Sequence, residues 1–377
     1  MNILHVYKTY LPEDFTGIPR VIHALAEGIA GHGVETHVLA LAQNPAEKRL
    51  AIGRHQVHLA RRDINISSAG FSLSAFGLFA RLARAADVVN YHFPWPMADI
   101  MHLVRPHGRP SVVTYHSDVI KQKRLLPFYA PVRDRFLEQA DAIIATSPSY
   151  IQTSAVLQRF ADKTSVAAIG IPERALPAPE LIAKWRHQLG DRFFLFVGTL
   201  RYYKGMQYLL DAARISGLPV VIAGADGATN WQQGAGPNVQ FLGEVTEADK
   251  EALLSLCAGF VLASHLRSEA FGIALLEAAR AGRPMVSCEI GTGTSYINLH
   301  NQTGFVVAPQ NGQALAEAML RLSRDREQAE AMGHRARRRY EQEFCAPRMV
   351  ENYLEIYRRV IAGRRANNPE QAIMVNA

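Results

Sequence analysis

Short apolar runs recur along the chain, each closed by a polar or glycine-bearing turn and most followed by a stretch with helical spacing. The first series comprises residues 2–7 (NILHVY), 35–40, 57–60, 87–91, 111–115 (SVVTY), 141–146 (DAIIAT) and 166–169. The second begins at 193–197 (FFLFV) and continues through 219–223, 239–242, 259–263, 285–288 and 303–307. Alternation of buried strands with helices predicts parallel sheets covered on both faces, here in two successive α/β layers. Helices are predicted over 21–31, 71–86, 313–323, 326–344 and 348–362, with a disordered tail from Arg364. The Pro- and Ala-rich stretch 172–179 reads as a linker between the layers.

Composition agrees with this picture and narrows it. A chain of 377 residues suggests two domains, and 48% hydrophobic with 20% charged residues is ordinary for a globular enzyme. The N-terminus has the pattern of a strand, not of a signal peptide, and no apolar run approaches the roughly 18 residues of a membrane span, so a cytoplasmic protein is expected. Cys257, Cys288 and Cys345 are odd in number and have no metal-ligand spacing, which points to free thiols. Nearly all of the net charge of +7 sits in the first half: residues 1–190 hold 21 Lys+Arg against 15 Asp+Glu, leaving 20 against 19. That excess suits an anionic partner, such as a membrane surface or a lipid-phosphate substrate, and equally suits scattered solvated charge; no base-reading motif accompanies it, so nucleic acid is not expected.

Candidate chemistry lies where strands end. After the strand at 259–263 comes SHLRSEAFGIALLEAARAG, with Glu269 and Glu277 eight residues apart. A helix beginning near Gly272 leaves the amides of Phe271, Gly272 and Ile273 unpaired and aimed at an anion. Spacing alone leaves equally open a plain solvated Glu and a helix-face Glu. After the strand at 193–197, GTLRYYKG places Lys204 and Arg201 before a helix, a suitable cradle for a pyrophosphate. Gly17 precedes the first helix, and His116 stands at the carboxyl end of the strand at 111–115, the functional edge of a parallel sheet. Lys121, Lys123 and Arg124, with Arg133 and Arg135, offer a basic rim. The loop HFPWP at 92–96 offers aromatic rings for stacking, or structural packing.

The segment around Glu269 and Glu277 resembles the E-x7-E motif of the retaining GT-B glycosyltransferases of family 4, also called group 1, and the resemblance extends over most of the chain. It implies a fold of two Rossmann-like parallel-sheet domains facing a central cleft. The last helix would return to the first domain, giving 1–172 plus 352–377 for the acceptor side and 173–351 for the nucleotide-sugar side. It implies that Glu269 contacts donor-sugar hydroxyls, Glu277 the ribose and His116 the sugar. Gly17, Lys204, Arg201 and the 271–273 amides would meet the diphosphate, and Glu244 and Val245 the nucleobase. The departures are a single glycine near position 17, Thr199 where the family has an arginine, and GIPE at 170–173 where relatives have Asn-Gly-Ile/Val-Asp.

No cofactor and no metal are expected, since the chain has no Asp-x-Asp and amides and cations can receive the diphosphate. The opening HVYKTYLP and the loop LRYYKG resemble bacterial mannosyltransferases and related enzymes of surface-polysaccharide assembly. This implies a GDP-mannose or GDP-rhamnose donor and a lipid-linked saccharide acceptor at the inner membrane face. A UDP-hexose donor, a nucleotide-sugar epimerase of the same fold and a non-catalytic binder are the alternatives.

Overall fold

A computed structural model describes residues 1–45, 47–66, 69–119, 126–225 and 231–367. The chain divides into two compact units: unit 1 holds Met1–Thr146, Ser154–Gly170 and the chain from Ala346, and unit 2 holds Ser147–Thr153 and Ile171–Cys345. The sequence reading puts these crossings at 172/173 and 351/352. The structure puts them at 170/171 and 345/346, because Ile171 bridges to Cys345 and donates its amide to Phe344 O at 2.9 Å. The short helix Pro148–Thr153 belongs to unit 2, where Thr153 Oγ1 donates to Gly291 O.

Unit 1 contains β1 (Asn2–Val6), β2 (Glu35–Ala42), β3 (Arg49–Ile52), β4 (His55–Arg61), β5 (Ile64–Ile66), β6 (Ala69–Phe71), β7 (Val88–Phe93), β8 (Ser111–Tyr115), β9 (Ala142–Ala145) and β10 (Thr164–Val166). Its main sheet runs β10-β9-β8-β7-β1-β2-β4-β3, parallel except for β3, while β5 and β6 form a separate antiparallel pair. The central strands are buried along their whole length, as a sheet covered on both faces requires. Strand order reverses between β1 and β7, the topological switch point where α/β sheets hold ligands.

The C-terminal helix Ala346–Asn367 packs on the first helix, Ile18–Ala30, at Gly28, where a Cβ would lie 2.4 Å from Val350 Cγ2. Met349, Val350, Tyr353, Leu354 and Tyr357 of that helix are buried, which accounts for its return to unit 1. Arg364, which the sequence assigns to a disordered tail, is helical and pairs with Asp141 at 2.8 Å.

Unit 2 contains β11 (Phe194–Val197), β12 (Val220–Ala223), β13 (Val239–Gly243), β14 (Gly259–Leu262), β15 (Met285–Cys288) and β16 (Gly304–Val307) in one parallel sheet of order β13-β12-β11-β14-β15-β16. Its switch point lies between β11 and β14.

Two further features differ from the sequence reading. Residues 167–169 lie beyond the β10 ladder, which ends as Ala167 donates to Ala145 O. The HFPWP segment is core: Phe93 stacks on Tyr115 at 4.6 Å, and fully buried Trp95 donates Nε1–H to Gly70 O, so these rings are closed to a ligand.

Candidate active site

The switch point of unit 2 brings Lys204 and Glu269 together. Lys204 ends the turn after β11, Glu269 sits in the loop after β14, and because the two strands are neighbours the ammonium donates to Glu269 Oε2. Gly205 permits this contact: its φ is +70°, and a Cβ there would come within 2.0 Å of Ala263 O. Burial pushes the Lys204 ammonium down, but Glu269 and Tyr203 outweigh that and raise it, so Lys204 is a firmly held cation. Ser264, buried at the end of β14, donates to the same Glu269 oxygen at 3.0 Å.

Gly272, at φ +96°, begins the helix Ile273–Arg280. The amides of Phe271, Gly272 and Ile273 take no acceptor among the described residues. The Phe271 ring is buried, so this residue offers a ligand its backbone only. The GTGTS loop at 291–295 braces the segment: Thr292 Oγ1 donates to Glu269 O at 2.8 Å, Gly293 N to Ala270 O at 3.0 Å, and a Cβ at Gly293 would strike the Phe271 ring.

Glu277 lies in the second turn of that helix, only 7% exposed, and accepts from Lys250 Nζ at 2.6 Å. Lys250, 5% exposed, also reaches Glu247 at 3.0 Å. Sequence reasoning passed over Lys250 and Ser264. Lys250 sits in the helix Glu247–Leu256, where a lysine ordinarily reads as solvated surface, and the signal available was its place among the apolar residues Ala252, Leu253 and Leu256. Lys250→Met removes the ammonium from a buried carboxylate and is expected to destabilise unit 2 by about 3–5 kcal/mol; urea unfolding of the purified variant checks this.

Arg201 is exposed with no side-chain partner among the described residues, and its like charge disfavours the Lys204 ammonium. Glu244 is exposed and Val245 half-buried, in the turn after edge strand β13. Thus Lys204, Glu269 and the 271–273 segment come together in unit 2, with Glu277 one helical turn further on, while Glu244 and Val245 stand at the sheet's edge.

In unit 1, Gly17 adopts φ +54° before the first helix, and the space a Cβ would occupy is open, as a close ligand approach needs. His116 follows β8 and is 4% exposed; burial pushes its imidazole down to about 3. Its Nε2 meets His92 Nδ1 at 2.9 Å, and His92 Nε2 meets His5 Nδ1 at 3.1 Å. Lys121, Lys123 and Arg124 lie outside the described residues. Arg133 does not belong to a basic rim, being buried and paired with Asp134, and Arg135 faces Glu138. Among the described residues no three His, Cys, Asp or Glu side chains are grouped to hold a metal ion.

The arrangement offers an ammonium and free amides for an anion beside carboxylates for hydroxyls, with neutral imidazoles in the other unit. The chain also matches known families over both units. The family description Glycosyltransferase Family 4 matches residues 15–172, and Glycosyl transferases group 1 matches residues 178–339. The chain is 50% identical over 353 residues to the D-rhamnosyltransferase WbpZ of Pseudomonas aeruginosa, covering 92% of this chain and 93% of that one. It is 44% identical to the O-antigen chain mannosyltransferase C of Escherichia coli, covering 95% and 98%. Among solved structures, sucrose-phosphate synthase of Thermosynechococcus elongatus superposes with a TM-score of 0.78 at 19% identity, covering 96% of this chain and 99% of that one.

Proposed function

Since the chain belongs to the group 1 (family 4) glycosyltransferases, we propose that it transfers mannose, or a deoxyhexose such as rhamnose, from a GDP-sugar to a lipid-linked saccharide in lipopolysaccharide or exopolysaccharide assembly, with retention of configuration. The observation that carries the reading is the Lys204–Glu269 pair at the switch point of unit 2, beside the amides of 271–273, which are unpaired among the described residues. The named activities of the two relatives covering more than nine-tenths of the chain support the sugar and the acceptor class.

In this reading the donor exchanges partners with the resting site. The diphosphate takes over Lys204 and the helix amides, where negative charge grows as the C1–O bond to phosphate breaks. Glu269, released from the ammonium, turns to sugar hydroxyls while Ser264 keeps its orientation. Glu277, with one oxygen held by Lys250, offers its carboxylate to the ribose. Gly17 leaves room for the phosphate, His116 contacts the sugar, Arg201 supplies a second cation, and Glu244 and Val245 border the base. The diphosphate is neutralised without a metal, so EDTA leaves transfer unchanged.

A thermal-shift screen tests the donor. A nucleotide sugar at 100 times its dissociation constant stabilises the fold by about 2.7 kcal/mol, and GDP-mannose or GDP-rhamnose is expected to do so. Protection and transfer by a UDP-sugar alone overturn the donor assignment. A changed sugar formed without acceptor identifies an epimerase instead.

We further propose peripheral contact with the anionic inner face of the cytoplasmic membrane. Among the described residues no helix is long and apolar enough to cross a membrane. The β5–β6 pair carries Ile64 and Ile66 at 57% and 54% exposure, and Leu73, 83% exposed, precedes the helix Ser74–Ala85, whose outer face bears Arg81 and Arg84. Aliphatic tips beside arginines suit an interface of acyl chains and anionic headgroups. Changing Ile64, Ile66 and Leu73 together to serine is expected to weaken co-sedimentation with phosphatidylglycerol vesicles at least about tenfold at unchanged Tm. Equal sedimentation of variant and parent, or none of the parent at low salt, removes the proposal.

A further inference from the structure

Three imidazoles stand in series at the switch point of unit 1: His5 on β1, His92 on β7 and His116 just after β8. His5 pairs in register with Asn90 and His92 with Thr114, so neighbouring strands carry the rings toward one another. The ring centroids are 5.3 Å apart for His5–His92 and 5.2 Å for His92–His116, the latter pair stacked. All three are buried. The transfer proposed above uses only His116 and leaves the other two unexplained.

We infer that His5 and His92 are positioning residues that hold His116 in one orientation and one neutral tautomer, with its proton on Nδ1 as a hydrogen-bond donor for the ligand. The inference rests on the reading that His116 contacts the donor sugar.

Each neutral imidazole has a single N–H, so two bonds through three rings must run in one direction. In the first direction His5 Nδ1–H donates to His92 Nε2, His92 Nδ1–H donates to His116 Nε2, and His116 bears its proton on Nδ1. In the reverse direction the relay ends in an N–H on His5 Nε2. That atom is buried without a partner among the described residues, and an orphaned buried N–H is rarer than an acceptor with an unused lone pair. The first direction is therefore favoured. It leaves His116 Nδ1, which has no partner among the described residues, as an N–H at the ligand-binding edge of the sheet.

The surroundings support a neutral, fixed relay. Burial pushes His5 and His116 down to about 3 and His92 well below its ordinary value, the neighbouring imidazoles adding to the effect on His92. Asn90 is oriented by Thr114, which donates to its Oδ1 at 3.0 Å, and by Tyr357, whose hydroxyl accepts from its Nδ2 at 2.8 Å. The amide nitrogen thus faces the His5–His92 bond, 3.4 Å from His5 Nδ1 and 3.5 Å from His92 Nε2.

The test is nitrogen-15 NMR of histidine-labelled full-length chain, which distinguishes the two tautomers, combined with donor kinetics. The expected parent spectrum has the His116 proton on Nδ1. His5→Leu removes the donor to His92 and opens space beside its ring, so the rings lose their fixed orientation and kcat falls at least about tenfold with little change in the donor KM, while the His116 proton stays on Nδ1, because a reversed relay would bury an orphaned His92 Nε2–H. His5→Gln, whose amide can donate to His92, restores kcat. A parent spectrum with the His116 proton on Nε2 overturns the inference, and that spectrum decides even if His5→Leu does not fold. An unchanged kcat in a folded His5→Leu chain, or a His116 proton moved to Nε2 there, also overturns it. Near-normal turnover of His116→Ala instead removes the sugar contact, a failure separate from that of the relay.

Discussion

Glu269→Ala and Lys204→Ala are each expected to lower turnover by about 10²–10³-fold, the usual effect of losing one preorganised charge at a centre where charge develops. The two residues are bonded to each other in the resting protein, so either change also strands a mostly buried partner: the side chains are 10% and 13% exposed. Each single variant should therefore melt lower than the parent, which by itself would confuse a structural effect with a catalytic one. Glu269→Gln and Lys204→Met, made singly and together, separate them, because the double variant removes both charges at once. Its melting temperature should recover part of the loss, with a coupling of about 1–3 kcal/mol, while turnover stays at the floor. Near-normal turnover of either purified single variant sinks that residue's role.

Unit 1 is expected to lose stability on mild acidification. Burial pushes His5 and His116 down to about 3, and His58, His102 and His107 to about 4, from an ordinary value of 6.5. Below 6.5 the unfolded chain binds protons that the folded chain refuses. Stability therefore falls as pH drops through 6.5, and keeps falling until the folded imidazoles take up protons near 3–4. Each such group contributes a slope of about 1.4 kcal/mol per pH unit in that window.

Asp99 acts the opposite way. Burial raises it to about 8, and the Tyr129 hydroxyl donates to it, so the fold holds its proton across the same range and offsets one histidine. The net loss by pH 5 is several kcal/mol, a large part of the roughly 5–15 kcal/mol that holds a typical protein folded. Thermal unfolding followed through buried Trp95 between pH 7.5 and 5 should show Tm falling steeply. A flat Tm would mean that these imidazoles are not held neutral.

The apolar runs located most of the strands because a strand buried on both faces has little freedom in composition: β8 and β15 fall where SVVTY and MVSC stand. Strands β3, β5 and β6 escaped because short, half-exposed strands at an edge carry no such run. The site followed the same division. Lys204 and Glu269 stood just after strands, with Glu277 in the helix that follows, in a recognisable pattern, but their partners did not. Lys250 reaches Glu277 across a different helix, Ser264 is one serine among many, and His5 and His92 lie inside strands where alternation with apolar residues disguises them. Contacts between residues remote in sequence depend on strand order, and strand order is what local spacing does not contain.

The bridge between Ile171 and Cys345 has a consequence for how this protein can be recombined. The long stretch of unit 2 begins and ends at paired residues, so it enters and leaves the rest of the chain through one doorway. A gene segment with those limits is expected to act as a cassette, because its ends meet and a relative's equivalent stretch need not reroute the flanking polypeptide. If that cassette carries the donor specificity, chimaeras cut at this doorway, with 147–153 exchanged alongside, will change the sugar delivered while keeping the receiving molecule of the parent.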